Sequence, residues 1–171
     1  MADAAGCITW VLRQEDATLS GKIEDLGDGA GKTRFGITSK NVTMPDGYFT
    51  DMPTPQALQC AIAHYRAVDW ARIHGDQIGL DDVAGSLLSF CVNGGDTTEI
   101  KIMQRAFGLT PDGGVGTLTL AAWNGPGAGD KIRAAQAQHY KDIYNADPVK
   151  NQRWIHGWLN RAARVYPNLV P

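Results

Sequence analysis

Residues 8–38 read ITWVLRQEDATLSGKIEDLGDGAGKTRFGIT, and the first half of this stretch has the pattern of an amphipathic helix. Ile8, Val11 and Leu12 fall at i, i+3 and i+4, and Glu15 follows at i+7 of the same series. The pattern predicts a helix from about Asp3 to Leu19, with Asp3 able to cap it. A carboxylate on an apolar helix face loses hydration, which favours its protonated form. A general acid needs that form near neutral pH. Glu15 is therefore a candidate catalytic acid, although a Glu on an apolar face is often paired with an Arg and purely structural.

The second half of the stretch predicts a β-hairpin. Residues 22–26 and 32–38 are suited to short strands, and the glycine-rich run between them is typical of a loose turn. This half carries three further acids, Glu24, Asp25 and Asp28. We therefore expect an acid on a helix to face a hairpin that holds its catalytic partners.

Enzymes that cleave glycosidic bonds commonly use two carboxyl groups on either side of a cleft. One protonates the leaving oxygen, and the other activates water or stabilises positive charge. Asp25 and Asp28 are the candidates for the second group, and spacing alone does not choose between them. Thr33, on the second strand, offers a hydroxyl that could hold a water. The structural alternative for these acids is turn chemistry, because Asp beside Gly commonly stabilises a turn.

The composition is that of an ordinary globular domain. The chain has 171 residues, 43% of them hydrophobic and 20% charged, and a net charge of −2, which gives no global basic field for nucleic acid. The three cysteines form no CxxC and the four histidines form no HExxH, so we predict neither a metal nor a cofactor.

The N-terminal residues lack the basic region and long apolar run of a signal peptide, and no window is apolar enough to span a membrane. We expect a protein that is made in the cytoplasm, does not insert into a membrane, and reaches an outside substrate by another export route.

Two other catalytic motifs do not fit. GDGAGKT resembles a phosphate-binding loop, but only three residues separate Gly27 from Gly31 where four are needed, and a strand pattern follows. No GxSxG elbow occurs, which disfavours a serine nucleophile.

The rest of the chain is helical in pattern. Together with the hairpin, the whole sequence predicts a mainly α fold of six or seven helices. Tyr48 lies on the loop after the hairpin and either enters the core or lines a cleft.

Several motifs in order resemble glycoside hydrolase family 108. QEDATLSGKIEDLGDGAGKTRFGIT resembles the start of that family, where a catalytic Glu ends a helix and a glycine-rich loop leads to a T-x-x-G-I-T segment. SFCVNGGDTTEIKIMQRAFGLTPDGGVGTLTLAAWN resembles its peptidoglycan-binding segment, and GWLNRAARV resembles its C-terminal helix. This chain has Glu15-Asp16-Ala17 where the family commonly has Glu-Gly-Gly.

The resemblance implies one lysozyme-like domain over residues 1–171, with a small β-hairpin beside the catalytic cleft. Its first lobe, residues 1–80, would hold the catalytic helix and hairpin. The second, residues 81–171, would be helical and include the peptidoglycan-binding-like segment. Aligned on the family, Asp28 is favoured over Asp25 as the second acid.

The activity implied is that of an N-acetylmuramidase, which hydrolyses the β-1,4 glycosidic bonds of peptidoglycan with Glu15 as general acid. The alternatives are a lytic transglycosylase acting on the same bond and a peptidoglycan-binding module without catalysis. Predicted substrate contacts are Asn93, which matches a polar cleft residue of the family, Tyr48 and Gln104. We expect a monomer whose partner is the glycan strand, with a holin, secretion machinery or immunity protein as possible protein partners.

Overall fold

A computed structural model gives the fold and describes residues 1–25, 27, 29 and 31–168. Within them the chain forms eight α-helices and one three-stranded antiparallel sheet. The helices are α1 (Ala4–Glu15), α2 (Thr54–Tyr65), α3 (Asp81–Gly94), α4 (Asp96–Ala106), α5 (Thr117–Trp123), α6 (Ala128–Ala146), α7 (Pro148–Asn151) and α8 (Ile155–Ala163). The strands are β1 (Glu24–Asp25), β2 (Lys32–Arg34) and β3 (Ile37–Thr38). The predicted count of six or seven helices is therefore low by at least one.

Helix α3 is the centre of the packing. All nine of its residues from 83 to 91 are buried, and it contacts α1, α4 and α6. Helix α8 lies against α6. One cluster of buried side chains extends from Ala2 to Ala162, so the core draws on both sides of the predicted lobe boundary at residue 80.

Helix α1 begins as its sequence predicts and ends earlier. The Asp3 carboxylate caps it by accepting a hydrogen bond from the Ala5 N–H at 3.1 Å. The helix ends at Glu15, four residues before the predicted end at Leu19. Glu15 is therefore the last residue of α1, at the point where the chain leaves the helix for the sheet.

The strand predicted over residues 32–38 is in fact two strands joined by a two-residue turn. Phe35 and Gly36 both have positive φ, 50° and 77°, and Arg34 pairs with Ile37 across the turn. Two consecutive positive φ angles are typical of a type I′ turn between antiparallel strands. A left-handed conformation is costly for a Phe. Burial of its ring, which is 2% exposed, offsets that cost.

No helix among the described residues combines the length and the apolar character that a membrane span requires.

Candidate functional site

The loop after α1 is held by the carboxylate of Asp16. Asp16 is the C-cap of α1, and its side chain accepts hydrogen bonds from the Gly21 N–H at 2.7 Å and the Ser20 hydroxyl at 3.0 Å. Burial raises the pKa of Asp16, but these hydrogen bonds outweigh it and lower the pKa below its usual value. Asp16 is thus a fixed anion that turns the chain back toward the sheet beside Glu15.

Glu15 forms an ion pair with Arg161 on α8. The Arg161 guanidinium donates to Glu15 Oε1, and the two side chains are 11% and 20% exposed. Arg161 also donates from Nε to the Ser89 hydroxyl at 3.1 Å, and that hydroxyl donates to the Gln14 side-chain oxygen at 3.1 Å. Glu15 therefore has the arginine partner that a purely structural role would require. The ion pair fixes one oxygen of its carboxylate.

The β2–β3 turn packs directly on Glu15. A Cβ placed on Gly36 would lie 2.6 Å from Glu15 Cγ and 2.7 Å from the Tyr65 hydroxyl, so only glycine fits. Tyr65, the last residue of α2, donates to the Phe35 carbonyl at 3.0 Å. Burial, followed by the charge of Glu15, holds the pKa of Tyr65 well above its usual range, so the hydroxyl remains a donor.

A pocket of about 170 Å³ lies between the end of α1 and the sheet. Its lining consists of Glu15, Asp16, Ser20, Lys22, Glu24, Thr33, Phe35 and Gly36. Glu15 and Thr33, both predicted as catalytic from the sequence, are thus brought together. The pocket also contains Glu24, which was not among the predicted catalytic residues.

Strand pairing explains why Glu24 and not Asp25 lines this pocket. Glu24 lies opposite Thr33 and Asp25 lies opposite Lys32, and adjacent residues of a strand point to opposite faces. The Asp25 carboxylate instead accepts a hydrogen bond from the Gly27 N–H at 3.0 Å. Asp25 thus stabilises the turn, which is the structural role that its sequence position also allowed. Asp28, the favoured second acid, lies outside the described residues, so its role stays a prediction.

A larger pocket of about 530 Å³ adjoins the first at the β2–β3 turn, and Gly36 lines both. Its other lining residues come from β3, the loop after it, α2, the π-helical segment Arg66–Trp70 and the end of α3. They are Ile37, Thr38, Asn41, Val42, Thr43, His64, Tyr65, Val68, Asp69, Cys91, Val92 and Gly95. The turn that contacts Glu15 therefore borders both pockets.

The predicted substrate contact at Tyr48 is wrong. Tyr48 is 1% exposed, and its ring packs edge-on against Phe49 with centroids 4.8 Å apart. Its hydroxyl donates to the carbonyl of Arg34 at 3.2 Å, and the Arg34 guanidinium donates to the Tyr48 carbonyl at 2.9 Å. Tyr48 therefore belongs to the core under the sheet, the first of the two fates its sequence position allowed.

The predicted substrate contact at Gln104 is also wrong, because this side chain is 2% exposed. Its amide nitrogen donates to Asp112 Oδ1 at 2.7 Å and to the Gly114 carbonyl at 2.9 Å, and its oxygen accepts the Gly113 N–H at 2.8 Å. Gln104 thus fastens the turn between α4 and α5.

Gln104→Ala should destabilise the fold without changing glycan binding. The substitution leaves buried turn groups without partners, which costs about 1–3 kcal/mol in the free energy of unfolding. Gln138→Ala is the matched control, because Gln138 makes one exposed hydrogen bond to Asp142 and should change stability by less than about 0.5 kcal/mol. Denaturant unfolding measures both. Unchanged stability with lost glycan binding would restore the substrate role.

Asn93 lies at the end of α3 and is exposed. Its amide donates to the Tyr140 hydroxyl at 2.8 Å. Three of its neighbours in sequence, Cys91, Val92 and Gly95, line the larger pocket, but Asn93 itself does not. Its predicted contact with substrate stays a prediction.

The described residues contain no group of three or more His, Cys, Asp or Glu side chains that could hold a metal ion. Cys7 and Cys91 are buried, and Cys60 is half-buried.

Sequence reasoning missed the role of Arg161, which lies 146 residues from Glu15. No local pattern could pair them. The sequence also did not reveal that Glu24 lines the pocket. Alternation along a strand places neighbouring residues on opposite faces, but it does not say which face meets the cleft. Gly36 carried a usable signal, since the motif T-x-x-G-I-T fixes a glycine after the second strand.

Comparison with known proteins supports the fold and relates part of the chain to peptidoglycan. Residues 98–163 match the family described as "Predicted Peptidoglycan domain". Nine chains of solved structures match, and one is SagA of Brucella abortus, at 20% identity over 93% of this chain and 92% of that chain, with a TM-score of 0.65. No curated protein sequence matches. Together with the helices and the small sheet, the likeness confirms the predicted mainly α, lysozyme-like fold.

The peptidoglycan match covers α8 and therefore Arg161, whereas Glu15 lies outside it. These findings support a lysozyme-like fold and relate residues 98–163 to a peptidoglycan family. Membership of glycoside hydrolase family 108 stays a prediction.

Proposed function

We propose that this protein is an N-acetylmuramidase that hydrolyses the β-1,4 bond between N-acetylmuramic acid and N-acetylglucosamine. One observation carries the proposal: Glu15 ends a helix at a pocket that is also lined by a second carboxylate, Glu24, and a hydroxyl, Thr33. Two carboxyl groups facing one pocket are what glycosidic cleavage requires. The match of residues 98–163 to a peptidoglycan family supports this substrate.

Glu15 is the general acid of the proposed reaction. Arg161 contacts one carboxylate oxygen, and protonation of the leaving glycosidic oxygen needs only the other. Gly36 packs against the same side chain so closely that an added Cβ would lie 2.6 Å from Glu15 Cγ, and this contact limits where the carboxylate can lie. Arg161 acts as a positioning residue, because it touches Glu15 and not the reacting bond.

Glu24 is the second carboxylate that the pocket favours. Its partner Lys22 donates to it at 2.7 Å, but the two side chains are 73% and 49% exposed, and such surface pairs are weak. Glu24 can therefore exchange this contact for a water or a substrate. Thr33, directly opposite on β2, lines the same pocket and can help Glu24 hold the attacking water there.

The test replaces each hairpin acid by its amide. Glu24→Gln should lower the rate of peptidoglycan cleavage on the order of 10²-fold, because the group that activates water or stabilises positive charge is lost. Asp25→Asn should leave the rate near wild type, because its side chain serves the turn. Release of reducing ends measures both rates.

Two other outcomes of these rate measurements would contradict the role assigned to Glu24. If Asp25→Asn lost cleavage rate while Glu24→Gln kept the wild-type rate, then Asp25 and not Glu24 would be the acid that serves the pocket. A larger loss at Asp28→Asn than at Glu24→Gln would assign the second role to Asp28, the acid favoured by the sequence resemblance.

A second candidate is peptidoglycan binding without catalysis. The observation in its favour is that the family match covers residues 98–163 and excludes the Glu15 pocket, while Glu15 has an arginine partner. Wall binding without any released muropeptide would establish it.

A further inference from the structure

One edge of α8 extends from the candidate acid to an exposed tryptophan. Trp154, Trp158 and Arg161 follow each other at i, i+4 and i+7, and the Trp158 N–H donates to the Trp154 carbonyl at 3.0 Å. Residues at this spacing lie on the same side of a helix. Arg161 reaches Glu15, so the edge leads away from the pocket over about 10 Å of helix axis. We call these three residues the α8 edge.

The middle of the α8 edge rests on a rigid support. The rings of Trp158 and Tyr140 are stacked, with centroids 5.6 Å apart and planes inclined by 23°. The Tyr140 hydroxyl accepts hydrogen bonds from Asn93 at 2.8 Å and Gln136 at 2.9 Å. Asn93 and Trp158 therefore both contact one buried tyrosine, which connects the end of α3 to the α8 edge.

The far end of the α8 edge presents an aromatic ring to solvent. Trp154 is 42% exposed, and the Arg153 guanidinium lies 4.4 Å from the centroid of its ring. This cation–π contact covers one part of the indole and limits its rotation. A tryptophan held in this way offers a large contact surface at little cost in conformational entropy.

The charge around the α8 edge is complementary to an anionic polymer. Residues 147–168 carry four Lys or Arg and one acid, although the whole chain has a net charge of −2. Arg161 is paired with Glu15, and the exposed cations are Lys150 and Arg153. Peptidoglycan has carboxylates on its stem peptides, which a basic surface attracts. The peptidoglycan family match at residues 98–163 includes the whole α8 edge.

We propose that the α8 edge is an accessory binding site for the glycan strand of peptidoglycan, outside the Glu15 pocket. Trp154 stacks on the C–H face of an N-acetylhexosamine ring, and Arg153 attracts the stem-peptide carboxylates nearby. This proposal rests on the proposed function for the identity of its ligand, but it does not require that Glu15 catalyse cleavage.

The test measures binding of the full chain to purified insoluble peptidoglycan by co-sedimentation. Trp154→Ala should raise the apparent Kd about tenfold, as expected for the loss of an aromatic anchor, and Trp154→Phe should restore part of the affinity. Val149→Ala is the matched control, because Val149 is 92% exposed on the neighbouring helix α7 and should not change the Kd. Thermal unfolding checks that each variant is folded.

A second probe separates the glycan from the stem peptides. Peptide-free glycan strands should also bind Trp154→Ala more weakly than wild type. An unchanged Kd in Trp154→Ala, no binding by wild type, or a loss confined to peptide-bearing material would each overturn the proposal. If Trp154→Ala bound peptidoglycan more weakly than wild type, and wild type released no cleavage products, this binding site would be upheld and the proposed catalysis refuted.

Discussion

Glu15→Gln is expected to lower the rate of peptidoglycan cleavage by on the order of 10²–10⁴-fold, the range that general acid catalysis contributes. The amide has the shape of the carboxylic acid but cannot give a proton to the leaving oxygen. Its carbonyl oxygen can still accept the hydrogen bond from Arg161, so the fold should persist. Reducing-end release and thermal unfolding, measured on the same preparation, check both expectations.

Asp82→Asn is the matched control for breaking an ion pair. Asp82 pairs with Arg133, and these side chains are 32% and 14% exposed, which is comparable to the Glu15–Arg161 pair. Asp82 is not among the residues that line the Glu15 pocket. Asp82→Asn should therefore keep the wild-type cleavage rate. If Glu15→Gln lost only stability and kept its rate, as this control does, the Glu15–Arg161 pair would be structural.

Gly36→Ala is expected to lower the cleavage rate about 10²-fold, because it displaces the acid. The added Cβ would lie 2.6 Å from Glu15 Cγ and 2.7 Å from the Tyr65 hydroxyl, so at least one of them must move. A shift of about 1 Å in a catalytic group costs rate on this scale. The positive φ of 77° adds strain of about 1–2 kcal/mol to the folded state.

Gly108→Ala separates that backbone strain from the displacement. Gly108 has a φ of 71°, and a Cβ added there meets nothing within 4 Å. Denaturant unfolding of Gly108→Ala measures the backbone strain alone, and Gly36→Ala should lose more stability because of its close contacts. Only Gly36→Ala should lose cleavage rate. Equal cleavage rates in the two variants would mean that the contact between the turn and Glu15 does not determine the position of the Glu15 carboxylate.

The sequence predicted the fold where the signals are local. Helical spacing and the Asp3 cap predict the start of α1. Glu15 and Thr33 line one pocket, and their catalytic roles stay predictions. The break at Phe35-Gly36 was not predictable, because a strand-forming aromatic residue there adopts a left-handed φ. Burial of the ring and the hydrogen bond from Tyr65 stabilise this turn, and both come from distant parts of the chain.

The site was less predictable because it depends on contacts between distant residues. Tyr48 and Gln104 have the polar groups of ligand-binding side chains, yet the backbone groups around them satisfy those groups in the core. Arg161 has no local signal that connects it to Glu15. The choice between Glu24 and Asp25 depends on which face of β1 meets α1, and residue spacing does not contain that information.

The most direct test of the central claim is mass spectrometry of the products released from purified peptidoglycan by wild type and by Glu15→Gln. Wild type should release muropeptides with reducing N-acetylmuramic acid ends, and Glu15→Gln should release them at least about 10²-fold more slowly. Anhydromuramic ends would contradict hydrolysis and identify a lytic transglycosylase. Release of the same products at the same rate by Glu15→Gln, or no release by wild type, would contradict catalysis by Glu15.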